Sequence, residues 1–546
     1  MYKIIGTWKK MSKNENEQIT LGSVLTRSGK LFQDKPILSI FSNKRKEYTY
    51  KDFYKRSKSL ASFLLKLGLK KGDRIGTLMH NHHIHLEAYF GIPSAGLVVH
   101  TINIKLHEDD IAYIINHAED KVLIIDIELL SLLEKIKNKI NVKHIIVANY
   151  DLQSTHSYID YEMDVMLTDP DDFMFPLIHE NDVAGMCYSS GTTGKPKGVV
   201  YTHRNICLYT IVSSGSAAFN LKDSDIVLPL VPMYHVNAWC LPFMAIYTGC
   251  KIVLPFAYNG AGKLIELMER EKINFVAGAT TLWYDVAQEL EKRNFTHSLT
   301  KNVTVNLGGS SPSKETLLTL LKSGIKVIHT WGMTESTPNG LINKINKEIS
   351  PENIDEIAEN LTRQGIPYPF MEVKVERNGR IVPQDGKTMG HLLIKSPWTI
   401  KSYFKGEGQD SFIDGFLDTG DVAVVYPDGY IKIVDRSKDL IRSGGEWISS
   451  VDLENALIAR EDILDVAVVA CPHPKWGERP IAFIVTKKDS HLDKNLLKNY
   501  LMGQFAKWWI PDDFIFVDKI PRNPTGKIIK KTLRDTLSNY NFTLIS

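Results

Sequence analysis

Short apolar runs alternating with amphipathic stretches fill the first two thirds of the sequence, and they narrow the choice of fold more than any other feature. Residues 121–126, 144–148, 274–277 and 326–329 read as buried strands. Between them lie helical patterns such as 262–272, where Leu264, Ile265 and Leu267 are apolar and Glu266, Glu269 and Arg270 polar. Strands alternating with helices call for βαβ units and largely parallel sheets. After about Met371 the strand signals crowd together around turns at Asn378-Gly379, Asp385-Gly386 and Asp428-Gly429, which suits a smaller antiparallel sheet or barrel. Mixed α and β character returns near Asp435.

At 546 residues the chain is too long for a single core. Its 66 Lys and Arg against 63 Asp and Glu leave a net charge of +3, which argues against a dedicated nucleic-acid binder. Five scattered cysteines (Cys187, Cys207, Cys240, Cys250 and Cys471) form no CxxC pair, so neither a disulfide framework nor a zinc ribbon is expected. A reducing compartment, the cytoplasm, fits best. Lys9, Lys10, Lys13, Glu15 and Glu17 interrupt the N-terminal stretch, and no export signal is expected there. Residues 226–250 carry no Asp, Glu, Lys or Arg, yet Pro229, Pro232 and Pro242 break the run. The segment is expected to be buried strands and turns lining a cleft, not a transmembrane span.

The chemistry-bearing segment is Tyr188-Ser189-Ser190-Gly191-Thr192-Thr193-Gly194-Lys195-Pro196-Lys197-Gly198. Hydroxyls supply donors, glycines admit an anion close to the backbone, and Lys195 and Lys197 neutralise it. On spacing alone the segment is either a polyphosphate cradle or a surface turn, and two lysines among three glycines favour the cradle. Pro196 after Lys195 and Ser189 five positions before Gly194 exclude a P-loop. Pro312 likewise spoils Gly308-Gly309-Ser310-Ser311-Pro312 as a serine-hydrolase elbow. His80, His82, His83 and His85 fall within six residues, but no carboxylate or cysteine partner is identifiable, so structural histidines are favoured over a metal site.

That loop resembles the signature of the acyl-adenylate-forming enzymes, and four further motifs of that superfamily follow in order. They are Trp331-Gly332-Met333-Thr334-Glu335-Ser336, Asp418-Thr419-Gly420-Asp421, Asp435-Arg436-Ser437-Lys438-Asp439 with Ser443-Gly444-Gly445-Glu446, and Pro521-Arg522-Asn523-Pro524-Thr525-Gly526-Lys527. Similarity begins near Tyr48-Thr49-Tyr50-Lys51-Asp52 and covers nearly the whole chain. The resemblance implies an α/β protein with a large N-terminal body of two βα-layered subdomains plus a small β-barrel-like subdomain. A small, mobile α+β C-terminal domain would follow. The implied boundaries are 1–434 for the AMP-binding body, 435–438 for a hinge and 439–546 for the lid.

The resemblance also implies the reaction: a carboxylate and ATP give an acyl adenylate and pyrophosphate, and coenzyme A then takes the acyl group. Lys527 would bridge the carboxylate and the α-phosphate, while Thr334 would donate to that phosphate. Glu335 and Thr192 would hold Mg²⁺, a hard ion that takes oxygen ligands. Ser189, Ser190, Gly191, Thr192, Thr193, Gly194, Lys195 and Lys197 would cradle the polyphosphate. Trp331 and Gly332 on one side and Gly309, Ser310 and Ser311 on the other would enclose adenine, where a flat apolar ring suits a purine. Asp421 and Arg436 would bind the ribose hydroxyls. Lys438 falls at the hinge, and Ser443, Gly444 and Gly445 at the pantetheine tunnel. His235 would position the acyl group, with Trp239, Trp283 and the Gly308-Gly309 backbone beside it.

The segment 228–239 looks like the medium-chain fatty acyl-CoA ligases, and no basic residue is visible there to pair a second carboxylate. The expected substrates are a medium- to long-chain fatty acid and coenzyme A, with no nucleic acid and no transmembrane segment. A homodimer and peripheral membrane contact stay open. So do three alternatives: a stand-alone ligase loading a carrier protein, an aryl-acid CoA ligase or luciferase-like oxygenase of the same fold, and a non-catalytic nucleotide-binding protein.

Overall fold

The computed structural model describes residues 18–41, 44–150, 158–189, 195–257, 260–294, 303–345, 349–487, 492–522, 528–537 and 540. The chain forms two compact units, the first made of Met1–Tyr258 with Ser402–Glu407 and the second of Asn259–Lys401 with Gly408–Ser546.

The first unit is layered βα structure. Its seven-stranded sheet runs in the order Ile159–Asp160, His144–Ala148, Val122–Asp126, Arg74–Leu78, Val98–Thr101, Val183–Ser189, Lys197–Thr202. Every pairing is parallel except the last. Both faces are covered, as a parallel sheet requires. Alternate residues of Val122–Asp126 divide between two cores. Val122 and Ile124 join Leu60, Leu64, Ile84, Ala88 and Ile92 on one side. Leu123 and Ile125 join Ile111, Ile114, Ile115, Leu133 and Ile136 on the other. Each such side chain contributes roughly 1.5–3 kcal/mol by leaving water. The helix Tyr50–Lys66 starts in a capping box, Thr49 and Asp52 each accepting from the other's backbone N–H. A second parallel set joins Ile226–Pro229, Lys251–Pro255 and Pro36–Ile40, with Arg45–Thr49 antiparallel at its edge.

The expectation for 226–250 needs correcting. The strand Ile226–Pro229 is present, but Leu241–Thr248 is an α-helix with Pro242 in its first turn, where a missing N–H costs nothing. Uniform apolarity hides the helical period, so a buried helix and a buried strand look alike in such a run.

In the second unit, Phe275–Ala279, Thr304–Gly308 and Lys326–Gly332 are parallel neighbours, and Asn339–Lys344 returns antiparallel. An antiparallel sheet follows, in the order Arg380–Ile381, Glu372–Arg377, Gly390–Lys395, Phe416–Val425, Phe412–Ile413, with Ile431–Arg436 also on Phe416–Val425. The Asn378-Gly379 turn has both φ values positive, 54° and 73°, the geometry that joins two strands in a two-residue hairpin. A five-stranded sheet built on Ile463–His473 and Gly477–Thr486 closes the chain, covered by the helices Ser450–Ile458, Lys494–Met502 and Lys530–Thr536. Among the described residues no helix is long and apolar enough to cross a membrane.

Candidate active site

Register brings together the residues expected at the ribose. Asp421 on Phe416–Val425 lies directly across from Arg436 on Ile431–Arg436, and cross-strand neighbours of this kind are within side-chain reach. Arg436 Nε is 2.7 Å from Asp421 Oδ1. The other oxygen, Oδ2, accepts from the Trp331 indole Nε1 at 3.0 Å. Asp421 is buried while Arg436 and Trp331 keep exposed faces. Thr419 supports the pair from below: its hydroxyl accepts from Asp421 N at 3.1 Å and donates to Leu392 O at 2.8 Å. The indole packs over Gly340, where a Cβ would lie 2.8 Å from Trp331 Cζ3.

Gly309, Ser310 and Ser311 follow the strand Thr304–Gly308, Gly309 at φ 84°. The Thr280 hydroxyl reaches Ser310 O at 2.8 Å and Gly308 O at 3.2 Å. Gln364, which sequence reasoning missed, links this loop to the strand Ile431–Arg436. Its Nε2 donates to Ser311 Oγ at 2.9 Å, and its Oε1 accepts from Ile433 N at 2.6 Å.

Gly332 ends the strand Lys326–Gly332 where the backbone of Pro338 passes so close that a Cβ would sit 2.0 Å from its carbonyl oxygen. Thr334 and Glu335 then form a single 3₁₀ turn, Thr334–Ser336. Glu335 is 5 % exposed, and its carbonyl accepts from Ile400 N at 3.0 Å. A buried carboxylate of this kind suits a hard divalent cation, which takes oxygen donors.

Ser443, Gly444 and Gly445 belong to the hairpin of Ile441–Ser443 and Glu446–Ile448. Gly444 and Gly445 are its two loop residues, at φ 60° and 88°. Gly444 donates to Trp476 O at 2.8 Å, and a Cβ on it would come within 3.1 Å of the Trp476 ring. Glycine is thus favoured by the turn's positive φ and by the close ring beside it. Lys438 is exposed, two residues past the strand Ile431–Arg436. Lys527 lies outside the described residues. On either side of it, Arg522 and Ile528 form an isolated antiparallel bridge, and Arg522 Nη2 is 2.7 Å from Asp465 Oδ1.

In the first unit, Ser189 pairs with Lys197 across the antiparallel edge of the seven-stranded sheet. Lys195 Nζ sits 4.8 Å from the Tyr113 ring centroid and Lys197 Nζ 5.1 Å from that of Tyr403. Ser190, Gly191, Thr192, Thr193 and Gly194 lie outside the described residues. Tyr188, just before them, has its hydroxyl 2.7 Å from His117 Nδ1, and burial pushes its phenol well above the usual range.

His235 follows a tight turn, its N–H bonded to Pro232 O at 3.0 Å. The next five residues, Val236, Asn237, Ala238, Trp239 and Cys240, all have φ between 45° and 59°. A left-handed turn without glycine costs roughly 1–2 kcal/mol per residue, and strain of this size concentrates at functional sites. No sequence signal announces it, because only Asn237 is of a type that favours this region. Trp283, expected beside the acyl group, is fully buried in the helix Thr280–Lys292 of the second unit. Contrary to expectation, the histidine-rich turn has a carboxylate partner, Asp126, 2.8 Å from His80 Nδ1 and 2.7 Å from His82 Nε2, although no group of three or more such side chains placed to hold a metal ion occurs among the described residues.

Comparison with known proteins bears on these groupings. The chain is 40 % identical over 531 residues, 96 % of its length and 97 % of the relative's, to a long-chain-fatty-acid–CoA ligase of Thermus thermophilus. It is 37 % identical over 530 residues, covering 95 % and 96 %, to a medium-chain-fatty-acid–CoA ligase of Ectopseudomonas oleovorans. A crystal structure of an anthranilate CoA ligase in complex with anthranoyl-AMP shares the fold, with TM-score 0.82 at 24 % identity over 95 % of this chain and 97 % of that one. The profile of the AMP-binding enzyme C-terminal domain matches residues 452–527. That of the AMP-binding enzyme itself matches residues 25–404, most of the sequence, and the chain belongs to this family.

Proposed function

We propose that the chain is an ATP-dependent fatty acid–CoA ligase acting on medium- to long-chain acids. A carboxylate is a poor acyl donor because its leaving group would be oxide. Attack of a carboxylate oxygen on the α-phosphorus of ATP forms a C–O–P linkage and breaks the Pα–O bond to pyrophosphate. The coenzyme A thiol then attacks the acyl carbon: the C–S bond forms, the C–O bond to AMP breaks, and the thiol proton passes to solvent.

Two anions meet in the first step, so fixed dipoles and cations must offset their repulsion. Lys195 and Lys197 would face the polyphosphate, Thr334 the α-phosphate, and Lys527 both reacting groups. Trp331 would offer its ring face to adenine opposite Gly309, Ser310 and Ser311. Asp421, its two oxygens already fixed by Trp331 and Arg436, would accept from the ribose hydroxyls. Glu335, with Thr192, would hold Mg²⁺, which supplies positive charge to the phosphates when bound. His235 would position the acyl group. Residues 439–546 would act as a lid turning at Lys438 and bringing Ser443, Gly444 and Gly445 to the pantetheine chain, because an acyl adenylate must be kept from water and then opened to a thiol.

The reading rests on the Trp331–Asp421–Arg436 group, in a chain alike over 96 % of its length to a long-chain-fatty-acid–CoA ligase. The five cysteines are all free and buried, which supports a cytoplasmic enzyme. Self-association and peripheral membrane contact are compatible with it.

The test is a carboxylate panel in which pyrophosphate release and coenzyme A consumption are followed together. Acids from hexanoate to palmitate should consume coenzyme A far faster than acetate, benzoate or amino acids. Equal turnover of benzoate would move the assignment to an aryl-acid ligase. Pyrophosphate release without coenzyme A consumption would point to carrier-protein loading.

A further inference from the structure

The histidine-rich turn ahead of the helix His83–Ser94 holds an asparagine that the motif reading passed over. Asn81 is 5 % exposed, and its carboxamide makes three hydrogen bonds to one stretch of main chain. Nδ2 donates to Pro229 O and to Val231 O, each at 3.0 Å, and Oδ1 accepts from Met233 N at 2.7 Å. That stretch leads directly into His235.

The segment needs such a partner. Its register with Lys251–Pro255 ends at Val227↔Ile252, and Pro229 and Pro232 contribute no N–H of their own. Peptide groups buried beyond the end of a ladder must be satisfied by side chains or water. An asparagine side chain, with two donors and an acceptor in one plane, can stand in for a neighbouring strand. Tyr89, two turns further along the same helix, adds a fourth anchor by donating from its hydroxyl to Met233 O.

The surrounding histidines hold Asn81 in place. Asp126, fully buried at the end of Val122–Asp126, receives His80 N and His80 Nδ1 on Oδ2, each at 2.8 Å, and His82 Nε2 on Oδ1 at 2.7 Å. The residues on both sides of Asn81 are therefore clipped to one carboxylate. His83 N donates to Ser39 Oγ at 3.0 Å, and His85 Nδ1 is 3.0 Å from His80 O. The cluster braces a turn.

We infer that Asn81 is a positioning residue for the carboxylate substrate: its carboxamide sets the path of residues 229–233 and so the placement of His235 and the left-handed turn after it. The inference rests on the reading of His235 as the acyl-positioning residue. Asn81 itself is assigned no contact with substrate and no part in the nucleotide site.

Asn81→Asp keeps the acceptor for Met233 N but sets an oxygen against the carbonyls of Pro229 and Val231. The KM for decanoate should rise about tenfold or more, the scale expected when buried hydrogen bonds become unsatisfied contacts, with the KM for ATP unchanged. Tyr89→Phe, a milder change that leaves the fold intact, should shift the decanoate KM in the same direction by a smaller factor. Isothermal titration of decanoate into each variant without ATP should show the same ordering. A folded Asn81→Asp protein whose decanoate KM is unchanged, or whose decanoate and ATP KM values rise together, overturns the inference. If Asn81→Asp does not fold, Tyr89→Phe decides alone, and an unchanged decanoate KM overturns it. His235→Ala serves as the separate check: an unchanged decanoate KM there removes the reading of His235, whatever the Asn81 variants do.

Discussion

An indole carries a ring N–H where a phenyl ring has none, and at position 331 that N–H is used on the Asp421 carboxylate at 3.0 Å. With Arg436 on the other oxygen, the buried carboxylate is fixed in rotation, which would suit the proposed acceptance from two adjacent ribose hydroxyls. Trp331→Phe separates the ring from the donor. It keeps an aromatic face and loses a hydrogen bond to a charged group worth about 1.5–3 kcal/mol. Steady-state kinetics with ATP and fatty acid varied separately should show the ATP KM rising roughly tenfold or more and the acid KM holding. The opposite pattern would place Trp331 away from the nucleotide. Residue types and motif order put Trp331, Asp421 and Arg436 on the candidate list, but not the bond between them. Residues 331 and 421 are ninety positions apart, and only the folded register brings them together. Gln364 and Asn81 went unseen for the same reason. A lone amide in a sequence carries no sign of which distant peptide groups it will satisfy, whereas the alternation in 121–126 displays its own two-sided burial.

Between elements, the helix Lys530–Thr536 is fastened by its first residue. Lys530, 8 % exposed, lies 2.7 Å from Glu454 Oε1 on the helix Ser450–Ile458 and donates to Ser450 Oγ at 2.6 Å. Ser450 in turn bonds Asp435, whose Oδ2 also accepts from Ser450 N at 2.7 Å. Burial raises the Glu454 carboxyl, and Lys530 and the Val468 N–H act against that rise. Removing one member of such a pair leaves a charge in a poor solvent, so Lys530→Met should cost about 3–5 kcal/mol in urea unfolding. Adding Glu454→Gln removes the stranded charge but keeps an acceptor for Val468 N, and the double variant should recover much of the loss. If the two costs simply add, the pair is not coupled. Here too the sequence displays only part of the structure. The strands and turns after Met371 were legible from their spacing, but a lysine at the start of a C-terminal helix reads as a solvated charge until its buried partners are placed.

Across the whole molecule, acid should be the weak point, and the reason is a set of imidazoles buried without their charge. Burial holds His83 and His85 down to about 3 and His203 and His329 to about 4. Their packing leaves no room for a hydrated cation: His83 stacks on Tyr48 at 4.4 Å, and His329 Nδ1 faces the carbonyls of Leu361 and Arg363 at 2.8 and 3.0 Å. In the unfolded chain the same rings take up protons near 6.5. Below that pH the unfolded state binds more protons than the folded one, so stability falls as pH drops from 6.5 toward 4, by about 1.4 kcal/mol per pH unit for each ring. By pH 5 each contributes a loss of about 2 kcal/mol. Carboxyls that burial raises, Glu87, Asp120, Asp435 and Glu454, act in the opposite sense, and a cationic or hydrogen-bonding partner works against each rise. Urea midpoints measured at pH 7.5, 6.5, 5.5 and 5.0 should therefore decline steadily, and His85→Gln, which keeps a polar partner for Thr77 but cannot be protonated, should flatten the slope by about one ring's share. Midpoints that stay level or rise from pH 7.5 to 5.0 would mean that His83, His85, His203 and His329 do not set the acid limit of the fold.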